Sequence, residues 1–192
     1  MPESAGTLPS TQNEKEPKMP WTDATTSSGE SYRLFKQEKS YSCGVACTLM
    51  LLKIKQSREV DEGTVRRYFA EAEGATDRDA SGVRDFDTTG TTQSPIIGVL
   101  AKYKLGANQV ARAYVSKWIK QAAPSQPVIL GVDWGVSGVG QGGHWVVCVR
   151  YGANLVCLDP IYGVVETSAS LFPFYFVDAT TKGRINDLIQ LV

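Results

Sequence analysis

From Pro127 onward the chain changes character, and this change limits its fold more than any other feature. PVILGVDW, HWVVCVRY, NLVCLDP and FPFYFVD are short β-branched and aromatic runs separated by Gly, Asn or Pro, the pattern of strands. The half before them is helical. Ser42 is a plausible N-cap for a helix continuing to about Lys55. A second helix covers Glu62 to Glu73 and breaks at Gly74, and Pro95 fits the first turn of a third, ending at Tyr103. Val110 to Ala122 reads as a fourth helix or as a strand followed by a helix. Helices first, then strands joined by a tight turn (Gly152 to Asn154) give an α+β protein with a C-terminal antiparallel sheet.

At 192 residues, 42% of them hydrophobic, the chain suits one globular domain. Twenty basic residues balance twenty acidic ones, which argues against a nucleic-acid surface. No run is long and apolar enough to predict a membrane helix. Residues 1 to about 30 are polar and proline-containing, so they are expected to form a flexible leader ahead of a domain over 31–192. That leader has neither the basic nor the apolar region of an ordinary secretory signal, so cytoplasmic synthesis is expected. ATDRDASGVRDFDTTGTT, residues 75–92, reads as a long polar loop. GVSGVGQGG, residues 135–143, lacks the ending of a phosphate-binding loop and reads as a flexible, glycine-rich rim.

The chain has four cysteines, Cys43, Cys47, Cys148 and Cys157, and one histidine, His144. No CxxC pair occurs, and one His cannot complete a Cys/His zinc pattern, so neither a metal site nor a cofactor is expected. His144 opens one predicted strand and Asp159 closes the next. Folding the two back on each other puts them at the same sheet edge, a carboxylate beside an imidazole. Cys43 stands where the first helix begins. A free thiol is mostly protonated at neutral pH, so a nucleophilic cysteine needs a helix dipole and a nearby imidazole to help it. Cys47, one turn on, falls within the apolar stripe and is read as core. Gln37, six positions before Cys43, can fold back so that its amide joins the Cys43 N–H as an oxyanion donor. Trp134 and Trp145 are expected in the core or cleft wall, and Asp133 at an exposed strand end.

Gln37-x5-Cys43-Gly44, Gly143-His144-Trp145-Val146-Val147 and Leu158-Asp159-Pro160 resemble the papain-like cysteine peptidases. The similarity is closest to the bacterial branch that removes double-glycine leaders, and to related free-standing effector proteases. It runs from about Lys36 to Gly163 and implies a papain-like fold and a protein or peptide substrate. By this resemblance Cys43 is the nucleophile, His144 the base, Asp159 its orienting acid and Gln37 the oxyanion donor. It also implies a bacterial effector or toxin exported by a specialised route, with an immunity or inhibitor protein as a further partner. The same constellation serves transglutaminases, deamidases and peptidoglycan amidases, and degenerate relatives bind peptides without cutting them.

Overall fold

The computed structural model describes residues 20–74, 83–134 and 142–192. Its first helix, α1 (Cys43–Gln56), is apolar on nearly every side, and all its residues from Cys43 to Leu52 are buried. Such a helix is stable only when enclosed. Here α2 (Glu62–Glu73), α3 (Gln93–Lys102), a hairpin and the sheet surround it. Helix α2 starts at Asp61, whose carboxylate accepts the Thr64 N–H at 2.7 Å, and stops at Gly74, whose N–H returns to the Ala70 and Glu71 carbonyls.

The hairpin consists of β1 (Trp21–Thr25) and β2 (Ser31–Phe35). Its Trp21 and Phe35 rings meet edge to face at 5.0 Å, and Leu34 and Phe35 are buried in the core around α1. Its turn reaches the main sheet, where Ser27 Oγ donates to Glu166 at 2.8 Å and Arg150 pairs with Glu30 at 2.6 Å. The expected boundary at residue 30 therefore falls inside an ordered hairpin. Residues 1–19 of the expected leader lie outside the described residues.

The main sheet is antiparallel throughout. It contains β3 (Ala107–Val110), β4 (Val128–Asp133), β5 (Gly143–Tyr151), β6 (Asn154–Asp159), β7 (Gly163–Ser168), β8 (Phe174–Phe176) and β9 (Lys182–Leu191). The order is β3-β9-β4-β5-β6-β7, with β8 pairing against β9. Alternation along β5 and β6 separates two cores. Trp145, Val147, Val149, Val156 and Leu158 face α1, whereas Val146, Cys148, Leu155 and Cys157 line the opposite face. There they meet Val115 and Ile119 of the segment after β3, which carries a single short helix, α4 (Val115–Trp118), between 3-10 turns. Of Val110 to Ala122, only Val110 belongs to a strand, and the rest is a run of 3-10 turns around that four-residue helix, so neither expected form holds in full.

Two glycines allow close packing around the site. A Cβ on Gly44 would run into Thr91, and one on Gly183 into Val132 and Trp134. The loop carrying Thr91 is pinned by Arg84, which is buried over the Phe86 ring at 4.3 Å, pairs with Glu73 and donates to the Gly90 carbonyl at 3.0 Å. Residues 75–82 of the expected polar loop lie outside the described residues.

Candidate active site

Cys43 is the first residue of α1 and is 5% exposed. Ser42 occupies the N-cap position, but its hydroxyl does not cap the helix; it turns back to the Lys39 carbonyl and N–H, each at 3.2 Å. The first N–H groups of α1 have no intrahelical acceptor and receive no side-chain cap, so the positive end of the helix is open at Cys43.

The loop leading to Cys43 is held from two sides, by Pro160 and by the stretch Asp85 to Asp87. The Gln37 N–H donates to the Pro160 carbonyl at 3.2 Å and the Tyr41 N–H to the Phe86 carbonyl at 3.0 Å. Lys39 Nζ pairs with Asp85 at 3.3 Å and Asp87 at 3.0 Å. Gln37 Nε2 donates to the Lys39 and Ser40 carbonyls, both at 2.9 Å, while Oε1 is buried without a hydrogen-bond partner. The structure thus puts Gln37 in the turn before α1, with its amide hydrogens given to that turn rather than to the Cys43 thiol.

His144, 4% exposed, lies at the start of β5, and Asp159, 0% exposed, at the end of β6. Val147 opposite Leu158 sets the register that brings them together. His144 Nε2 is 3.0 Å from Asp159 Oδ1, and the Cys43 side chain lies near enough to the imidazole to raise its proton affinity. Burial alone would lower the His144 pKa. The Asp159 carboxylate and the Cys43 side chain outweigh it and raise the value from 6.5 to about 10. Burial pushes Asp159 upward, but the hydrogen bond and charge of His144, with the Ile161 and Tyr162 N–H groups, bring it below the ordinary carboxylate value. Those N–H groups donate to Oδ1 at 2.8 and 3.0 Å.

Sequence reasoning missed Tyr175, a fully buried residue of β8 whose hydroxyl donates to Asp159 Oδ2 at 2.8 Å. FPFYFVD offers four aromatics, three of them consecutive, and only the pairing of β8 with β9 determines which one reaches the carboxylate. Trp134 lies against His144 with ring centroids 5.7 Å apart and planes 29° apart, and meets Tyr162 at 6.4 Å. It is half-buried and packs against the core on the face away from α1, whereas Trp145 belongs to the core around α1, its Nε1 donating to the Thr91 carbonyl at 2.9 Å. Asp133 is an exposed strand end that accepts from Asn186 at 3.4 Å. Cys47 is fully buried beneath Cys43, and burial holds its thiol well above the ordinary value. Of the glycine-rich segment, 135–141 lies outside the described residues, and Gly143 already belongs to β5.

An imidazole held between a thiol and a buried carboxylate can take the thiol proton and return it to a departing group. The open helix end beside the thiol can receive negative charge developing on an oxygen.

No family model matches the chain, and no curated protein sequence does. Among solved structures it is similar to the peptidase domain of Streptococcus ComA, a bi-functional ABC transporter involved in a quorum-sensing pathway. That match has a TM-score of 0.54 at 17% identity and covers 84% of this chain and 98% of the other. It is also similar to a double-glycine-motif protease from an AMS/PCAT transporter, solved with its leader peptide, with a TM-score of 0.55 at 17% identity, covering 83% and 91%. These likenesses show the fold: the α+β arrangement expected from the order of elements, in the papain-like form that the resemblance implied.

Proposed function

We propose that the chain is a cysteine protease that hydrolyses a peptide bond in a protein substrate through Cys43, His144 and Asp159. The observation that carries this reading is the buried His144–Asp159 pair, Nε2 to Oδ1 at 3.0 Å, with the Cys43 thiol near the imidazole at the start of α1. The protein's fold and its likeness to two peptidase domains support it.

In this mechanism His144 Nδ1 accepts the Cys43 proton, and the sulfur attacks the scissile carbonyl carbon. Charge developing on the carbonyl oxygen is received by the Cys43 N–H at the uncapped start of α1. Gln37 becomes the second donor by exchanging its hydrogen bond to Lys39 or Ser40 for one to the oxyanion. The imidazolium, kept charged by Asp159, gives its proton to the leaving amine. A water then loses a proton to His144, attacks the thioester and frees Cys43. Tyr41, Ile161 and Tyr162, each 46–47% exposed, flank the relay with apolar surface suited to an extended peptide.

The test is to incubate a mixture of natural peptides with the protein and with Cys43→Ala, then identify new chain ends by mass spectrometry. New termini made only by the active form support the proposal. Conversion of glutamine side chains to glutamate without cleavage would replace it with deamidation.

The effector or toxin role extends the same proposal and rests on the resemblance to free-standing effector proteases. An immunity or inhibitor protein would then cover Tyr41, Ile161 and Tyr162. Comparing the proteomes of target cells that express the protein or Cys43→Ala tests this role through the substrate lost only with the active form.

A further inference from the structure

Two cysteines outside the site face each other across neighbouring strands. Cys148 of β5 and Cys157 of β6 are direct partners in the register, and both are fully buried in the core on the face away from α1. Both are free thiols. Directly opposed residues of an antiparallel pair have Cα atoms about 4.5 or 5.5 Å apart, depending on whether they exchange hydrogen bonds. Either spacing lies inside the range of about 4.4–6.8 Å that a disulfide bridges. Interaction with the Cys148 side chain, and then burial, hold the Cys157 thiol well above its ordinary value. The Cys148 S–H also lies 3.4 Å from the Arg150 carbonyl oxygen.

Position gives the pair its consequence. Cys148 is on the strand that carries His144, and Cys157 precedes Asp159 by two residues. Cys43 and Cys47 belong to α1 and its core, on the other side of the sheet.

We propose that Cys148 and Cys157 are a modification site that forms a cross-strand disulfide when the chain folds or transiently opens in the presence of a small-molecule disulfide, stapling the two strands that carry His144 and Asp159. One cysteine thiolate attacks a sulfur of oxidised glutathione, giving a mixed disulfide and one released glutathione thiolate. The opposing thiolate then attacks the cysteine sulfur of that mixed disulfide and releases the second glutathione. The two cysteine thiols give up two electrons and two protons, and oxidised glutathione takes up both to become two reduced molecules. The staple closes a loop of about ten residues between neighbours already paired, so it constrains the unfolded chain without displacing the sheet.

The experiment refolds the full-length Cys43→Ser chain in oxidised and reduced glutathione, so that the thiol at the start of α1 does not compete. Remaining thiols are alkylated before digestion and mass spectrometry. The expected result is a cross-linked Cys148–Cys157 peptide, with Cys47 alkylated and a melting temperature raised by about 5–10 °C. The rise should disappear on reduction. Recovery of Cys148 and Cys157 as alkylated or glutathione-capped peptides would overturn the proposal. So would a cross-linked form that melts no higher than the reduced one.

Discussion

Tyr175 Oη donates to Asp159 Oδ2 at 2.8 Å, so the carboxylate that holds His144 through one oxygen is itself held through the other. Four donors converge on this buried group: His144 Nε2, the Tyr175 hydroxyl and the Ile161 and Tyr162 N–H groups. Tyr175→Phe removes one and leaves Oδ2 buried and short of a partner, at a cost of about 1–3 kcal/mol in stability. The variant should melt lower and lose part of kcat/KM, though less than Asp159→Ala. Wild-type kinetics together with a wild-type melting temperature would show that this hydrogen bond has no effect on the site.

The raised pKa of His144 sets the direction of the pH response. The imidazolium persists through neutrality, so kcat/KM should hold above pH 7 and fall as pH rises through the His144 value of about 10. The same shift contributes stability that is fully present below the unfolded value of 6.5 and is lost as pH rises through about 10. Asp159→Asn keeps an oxygen beside Nε2 but removes the charge. Its alkaline limb should therefore move to lower pH, with some activity retained. A limb at the same pH in both forms would show that Asp159 does not set the His144 proton affinity.

Gln37 is the residue whose observed contacts differ most from its proposed role, because both amide hydrogens go to the turn carbonyls of Lys39 and Ser40. Gln37→Ala should lower kcat by roughly 10²–10³ if the amide swings to the oxyanion. A loss confined to melting temperature would make Gln37 a brace for the turn.

Glu62, beside that turn, is buried with neither carboxyl oxygen in a well-formed hydrogen bond, and Arg66 Nε is 4.0 Å away. Burial, and then the nearby Glu38 carboxylate, raise its pKa from 4.5 to about 8. The folded chain therefore binds more protons than the unfolded one across that window, and Glu62 makes stability fall as pH rises through it. Between the unfolded values of 4.5 for Glu62 and 6.5 for His144 the effect belongs mainly to Glu62. There Glu62→Gln should flatten the decline by up to about 1.4 kcal/mol per pH unit. Denaturant unfolding of the two forms at a series of pH values measures it, and parallel curves would contradict it.

What the sequence made legible follows from how local each signal is. Helix α2 could be read end to end because Asp61 and Gly74 mark it within the chain itself. His144 and Asp159 could be brought together because one tight turn joins their strands. The β1–β2 hairpin was hidden because WTDAT and SYRLF place polar residues among few apolar ones, and their burial comes from α1 and the distant Glu166. Strand β9 was missed for a similar reason: KGRINDLIQL mixes charged and apolar residues, and its register shifts where Gly131 and Val132 of β4 meet it. Tyr175 depends on the long-range pairing of β8 with β9, so no local pattern could single it out.

The central claim is that Cys43 is a thiol made nucleophilic by His144 and Asp159. The most direct test is the rate at which an epoxysuccinyl peptide alkylates each cysteine in the wild-type protein and in His144→Ala. The account predicts fast, single capture at Cys43 in the wild type, with Cys47, Cys148 and Cys157 unmodified, and a rate lower by roughly 10²–10⁴ in His144→Ala. Capture at another cysteine, or equal rates at Cys43 with and without His144, would contradict it.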